Sequence, residues 1–129
     1  MIRIALYLCP QTVLSSLSMA DDAFRLANQL AGEALFALQR VSIDGQQVQL
    51  GYARVQVDGD LQLAESADLL LIPATGSALD RTLQHNRALL AWLVERRRSR
   101  SLPIDFHEPY FDRLLRDFRG GPLRLTVIP

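Results

Sequence analysis

Ile2-Arg3-Ile4-Ala5-Leu6-Tyr7-Leu8-Cys9-Pro10 decides the fold. The stretch alternates at its start, runs apolar through Leu8 and halts at a proline, which reads as a buried strand. Ala67-Asp68-Leu69-Leu70-Leu71-Ile72-Pro73 repeats the pattern. A strand with no polar alternation is covered on both faces, as in a parallel sheet between helices. Working outward, Ala20, Phe24, Ala27 and Leu30 recur at helical spacing. Ser18 and Asp21 resemble a capping box and Gly32 supplies the stop, so a helix is expected over about 19–31.

Leu35, Phe36, Leu38, Val41 and Ile43, and after them Val48, Leu50, Val55 and Val57, read as short extended segments punctuated by Asp44-Gly45 and Asp58-Gly59 turns. Asp80 caps a long helix with Leu83, Leu90, Leu93 and Val94 inward and Arg81, Gln84, Arg87 and Arg96 outward. Residues 107–118 form a further helix on Tyr110, Phe111, Leu114, Leu115 and Phe118, and Leu123–Ile128 a last strand. The order defines an α/β domain with an open, mostly parallel sheet flanked by helices, a three-layer flavodoxin-like sandwich.

A chain of 129 residues makes one domain, 1–129. At that size it buries roughly two-thirds of its unfolded surface without staples. With 49% hydrophobic and 22% charged residues, the composition is that of a soluble globular protein. No apolar run reaches the ~18 residues of a membrane span, and no leader pattern opens the chain, so a cytoplasmic protein without a membrane partner is expected. Cys9 is the single cysteine, which excludes an internal disulfide, and two histidines far apart exclude the usual zinc patterns. No metal and no cofactor is expected. All fourteen basic residues are arginine, which removes Schiff-base and phosphate-loop lysine chemistry. Residues 1–95 carry six arginines against ten acids, and residues 96–129 eight against four. The basic end reads as a solvated helix terminus.

In open sheets of this kind ligands sit outside the carboxyl ends of the strands. Two strand ends qualify, Cys9-Pro10-Gln11-Thr12 and Pro73-Ala74-Thr75-Gly76-Ser77, the second with backbone N–H groups to offer an anion. Asp21 and Asp22 suit a helix start, or Asp22 faces the strand-end pocket. His85 reads as a solvated helix residue and His107 as part of a helix start. No dinucleotide fingerprint and no glycine-flanked nucleophile elbow occurs.

Ile2–Leu8, Ser15-Ser16-Leu17, Asp22-Ala23-Phe24-Arg25-Leu26-Ala27-Asn28, Val41-Ser42-Ile43-Asp44-Gly45, Ala67–Pro73 and Leu89-Leu90-Ala91-Trp92-Leu93 follow one another in order. Together they resemble the DJ-1/PfpI (class I glutamine amidotransferase-like) domain, most closely the version at the N-terminus of AraC-family transcriptional regulators. The resemblance covers residues 1–95, and 96–129 diverge. It implies that Asp22 stands where the family places the acid that partners its nucleophile, and that Ala74-Thr75-Gly76 replaces the family's glycine pair. The family's cysteine elbow has no counterpart in Ser99-Arg100-Ser101-Leu102-Pro103-Ile104-Asp105, and the chain is about fifty residues short of a complete domain.

The resemblance therefore implies no catalytic residue. It implies a non-catalytic ligand-sensing or dimerisation domain, with a small-molecule effector held by Cys9, Gln11, Thr12, Asp22, Thr75, Gly76 and Ser77. A homodimer is expected, and DNA is reached only through a helix-turn-helix domain absent from these residues. Two other readings stand beside this one. A small hydrolase or amidotransferase-like enzyme would use Cys9 with His107, and a structural interaction module would present residues 96–119 to an acidic partner.

Overall fold

The computed structural model describes residues 1–76, 86–99 and 127–128. Strand β1 (Ile2–Tyr7) is followed by helix α1 (Leu14–Ala31), β2 (Phe36–Val41), a hairpin of β3 (Val48–Leu50) and β4 (Ala53–Val55), and the single turn α2 (Leu61–Ala64). Then come β5 (Leu69–Pro73), α3 (Arg87–Ser99) and β6 (Val127–Ile128). The main sheet has the order β2-β1-β5-β6. All of its pairings are parallel, with Tyr7 beside Val41, Leu6 beside Leu71 and Ile72 beside Val127. This is an open α/β sheet consistent with a flavodoxin-like fold, as the apolar strand runs imply.

The period of two in β1 separates the layers. Ile4, Leu6 and Leu8 pack with Leu17 and Ala20 of α1 and with Val48 and Leu50 of the hairpin. Ala5, Tyr7 and Cys9 pack with Leu61 and Ala64 of α2 and with Leu89, Leu90, Leu93 and Val94 of α3. In β5, Leu71 joins the first set, and Leu70 and Ile72 join the second. Leu6 and Leu93 are fully buried; each such side chain contributes about 1.5–3 kcal/mol.

Helix α1 begins earlier than its sequence suggests. Val13, not Ser18, is the N-cap, and no side chain caps the turn. The helix start is held from outside. The Val13 N–H donates to the Ala74 carbonyl (2.8 Å), and Ser16 Oγ accepts from the Ala74 N–H (3.0 Å). The first bond satisfies the Val13 N–H and the second the Ala74 N–H; together they tie the helix start to the end of β5, with the Ser18–Asp21 pair inside the helix. The far end follows the sequence: Gly32, at φ 71°, closes α1 in the left-handed region.

The two aspartate–glycine pairs do different work. Asp44-Gly45 turns the chain after β2, Gly45 taking φ 74° while Asp44 Oδ1 accepts from the Gln46 N–H (3.0 Å). The β3–β4 hairpin turns instead at Gly51, φ 58°. Asp58 clamps the sheet: Oδ2 accepts from the Arg40 N–H (2.8 Å), and its own N–H donates to the Arg40 carbonyl (2.7 Å). Asn28 does the same at the other end of β2, where Oδ1 accepts from Leu35 and Phe36 N–H and Nδ2 donates to the Phe36 carbonyl. The exposed edge of β2 is thus blunted at both ends by side chains. The expected helix start at Asp80 and Leu83, the helix at 107–118 and the start of the last strand lie outside the described residues.

Candidate functional site

Strand order places β5 on one side of β1 and β2 on the other, so the connections that leave β1 for β2 and β5 for β6 run in opposite directions, and the switch point falls between β1 and β5. Crevices at such a switch point are where open α/β sheets bind ligands. Here that crevice is the one toward β5, and a second crevice beside the end of β1 lies toward β2.

The crevice toward β5 brings together most of the residues singled out from sequence. Thr12 forms an isolated bridge with Thr75. The Gly76 N–H donates to the Gln11 carbonyl (2.8 Å), and the Thr12 N–H donates to the Cys9 carbonyl (2.9 Å). Thr12 Oγ1 accepts from the Cys9 N–H (2.9 Å) and lies 3.5 Å from its Sγ. Thr12 is itself buried, so the two loops close on each other. The Gly76 amide, expected from sequence to meet an anion, is committed to Gln11 and is not available as that donor. Cys9 is 3% exposed and packs among Tyr7 and Ile72, the surroundings of a small hydrophobe rather than of an accessible thiolate.

Asp22 does not join this group. It is exposed, and at about 100° per residue it falls on the side of α1 opposite Leu17 and Ala20. Its neighbour Asp21 is the less exposed acid, with Oδ2 2.9 Å from the Arg25 guanidinium. Ser77, His85 and His107 lie outside the described residues, and so does most of the basic stretch 96–129.

The crevice toward β2 is open. It is a cleft of about 200 Å³ walled by Tyr7–Pro10 at the end of β1, Ser42–Asp44 after β2, Gln47–Gln49 leading into and along β3, and Asn86 just before α3. Tyr7 is a buried polar group of its wall. The Oη donates to Asn86 Oδ1 (2.9 Å) in a buried position, and Asn86 Nδ2 donates to Gln11 Oε1 (3.2 Å). Burial pushes the Tyr7 phenol far above its ordinary value, helped by neighbouring Cys9 and Asp44. The hydroxyl therefore stays protonated and acts as a fixed donor. The Asn86 carbonyl accepts from the Leu90 N–H (3.1 Å), so the same residue also holds the first turn of α3. At the mouth, Ser42 Oγ lies 2.8 Å from the Gln46 carbonyl and 3.3 Å from Asp44 Oδ1. Asp44 is exposed.

Of the sequence-selected residues that are described, Cys9 alone lines this cleft. Tyr7, Ser42, Asp44 and Asn86 went unselected. Tyr7 carried a signal nonetheless: a phenol in the middle of an apolar strand needs a buried partner for its hydroxyl. Asp44 stood in a turn, and Asn86 comes from 79 residues away, where no local pattern marks it. Among the described residues no group of three or more histidine, cysteine or acidic side chains is placed to hold a metal ion.

No family model and no curated protein matches the chain. Solved structures do. The fold is similar to that of a Vibrio parahaemolyticus protein described as a transcriptional regulator, with TM-score 0.64 and 16% identity over 97% of this chain and 76% of that one. It is also similar to an AraC family transcriptional regulator from Pseudomonas putida, with TM-score 0.51 and 23% identity over 67% of this chain and 59% of that one. At these identities the likeness defines the fold, an open parallel α/β domain of a kind that occurs in proteins described as transcriptional regulators. Among the described residues no helix is long and apolar enough to cross a membrane.

Proposed function

We propose that this chain is a DJ-1/PfpI-like sensory domain of an AraC-type transcriptional regulator, and that its ligand binds in the Tyr7–Asp44–Asn86 cleft. The observation that carries this reading is the buried Tyr7–Asn86–Gln11 chain of hydrogen bonds. It joins the cleft wall to the first turn of α3 and to the β1–α1 loop, so occupancy of the cleft bears on both elements at once. The regulators that share the fold support the same reading. Packing of the Cys9 thiol in the core favours binding over nucleophilic chemistry.

Among the described residues the cleft lining contains one carboxylate, Asp44, and no basic side chain. It suits a small neutral or cationic molecule with hydrogen-bond donors for Asp44 and the glutamine amides, such as a polyol, amide or amine. A second copy of the chain is the proposed partner in a cytoplasmic regulator. DNA contact falls to a helix-turn-helix segment other than residues 1–129.

A melting screen of the full chain against small polyols, amides and amines tests the reading. A ligand at 100 times its Kd stabilises the folded state by about 2.7 kcal/mol. The stabilisation should fall in Asp44→Asn and persist in Asp22→Ala. A hit that survives both Asp44→Asn and Tyr7→Phe contradicts the assignment, as does a panel with no saturable hit.

A further inference from the structure

A second cavity, of about 240 Å³, lies between α1 and β2 and is lined by Asp21, Arg25, Asn28, Phe36, Leu38 and Arg40. Phe36, Leu38 and Arg40 occupy alternate positions of β2 and so share its α1-facing side. The first two pack into the apolar layer beneath α1. At the third an arginine stands where the pattern calls for an apolar residue. Arg40 is half-buried, and its Nε is enclosed with no hydrogen-bond acceptor among the described residues.

The nearby acids are committed elsewhere. Asp21 is ion-paired with Arg25, and Asp58 Oδ2 is spent on the backbone N–H of Arg40 rather than on its guanidinium. The Asn28 amide is likewise consumed by the backbone of Leu35 and Phe36. Among the described residues the cavity therefore holds two guanidinium groups against one carboxylate, above an apolar floor of Phe36 and Leu38. A guanidinium fork left without a partner in partly enclosed surroundings matches the planar, bidentate geometry of a carboxylate.

We propose that this groove binds a small monocarboxylate with an apolar body, its carboxylate on Arg40 and the outer face of Arg25 and its body over Phe36 and Leu38. The site is separate from the Tyr7–Asp44–Asn86 cleft and has the opposite charge preference, so it stands or falls independently of the sensory reading.

Benzoate is the probe, titrated into the full chain by calorimetry, with amide NMR shifts locating the contact. Saturable binding is expected, with shifts at Arg25, Phe36 and Arg40. Arg40→Gln should weaken it by about tenfold or more, and Arg40→Lys, which keeps the charge but loses the fork, by less. Asp21→Asn, which releases Arg25, should tighten it. Melting curves establish that each variant is folded, and the Lys variant keeps the test valid if the Gln variant is not. Absence of saturable binding, unchanged affinity in both Arg40 variants, or weaker binding in Asp21→Asn overturns the proposal. Inorganic phosphate binding as tightly as benzoate overturns the choice of a carboxylate with an apolar body.

Discussion

The two crevices beside the end of β1 are built from neighbouring residues and end in opposite states. Toward β5, Cys9 bonds Thr12, the Gln11 carbonyl accepts from Gly76 and Ala74 bonds Val13 and Ser16 at the start of α1, and the loops close. Toward β2, the hairpin stands off the strand end and leaves a cleft with Tyr7 in its wall. Topology marks the β5 side of β1 as the switch point, yet the open cleft lies on the β2 side. The difference lies in whether the flanking segments bond to each other across the crevice, as the loops toward β5 do, or stand apart, as the hairpin does. A strand-end loop rich in amides and hydroxyls is a binding site only if those groups face outward unpaired.

Substitutions separate the two crevices by size of effect. Leu6, fully buried in β1 beneath both, sets the upper end. Leu6→Ala should cost about 2–5 kcal/mol in a denaturant titration, because the cavity adds to the lost transfer free energy. Asn86→Ala strips the acceptor from the buried Tyr7 hydroxyl, and about 1–3 kcal/mol of destabilisation is expected. Thr12→Val removes the acceptor of the Cys9 N–H from the closed crevice at a similar volume; about 1 kcal/mol is expected, with ligand binding in the open cleft retained. Asp22→Ala, on the exposed side of α1, should stay within about 0.5 kcal/mol and leave ligand-induced stabilisation intact. A large effect at Asp22 would restore the acid to the site and break the comparison.

Tyr7 also makes a pH prediction. Its phenol pKa is raised in the folded state, so folding favours the protonated form. That contribution is fully present below the unfolded tyrosine value of 10.0 and is lost as pH rises above it toward the folded value. Stability of the native sequence should therefore fall above pH 10.0 more steeply than that of Tyr7→Phe, measured by urea titrations across that range. Parallel curves would mean that Tyr7 is not held protonated by the fold.

The layers were legible because β1 and β5 state their burial in sequence: two faces of apolar residues require cover on both sides, and α1 and α3 supply it. The stop of α1 at Gly32 was equally plain. Its start was not. Ser18 and Asp21 spell a local cap, whereas the real start is tied to Ala74, 58 residues from Ser16. Asp58-Gly59 reads as a hairpin turn and instead clamps the edge of β2, because the Asp58 carboxylate meets a strand N–H that only the folded sheet brings to it. The candidate site divides along the same line. Cys9, Gln11, Thr12, Thr75 and Gly76 do meet at the strand ends, as the apolar runs imply. That their backbones are tied together across the loops, that the Gln11 side chain is spent on Asn86, and that Asn86 reaches Tyr7 from just before α3, are long-range facts with no local trace.

The most direct test of the central claim is an amide NMR map of the full chain titrated with the strongest polyol, amide or amine from the melting screen. The account predicts saturable shifts centred on Tyr7, Ser42, Asp44 and Asn86, spreading to Gln11 and the first turn of α3. Shifts centred on Thr75, Gly76 and Asp22, with Tyr7 and Asn86 unmoved, would contradict it and return the site to the crevice beside β5.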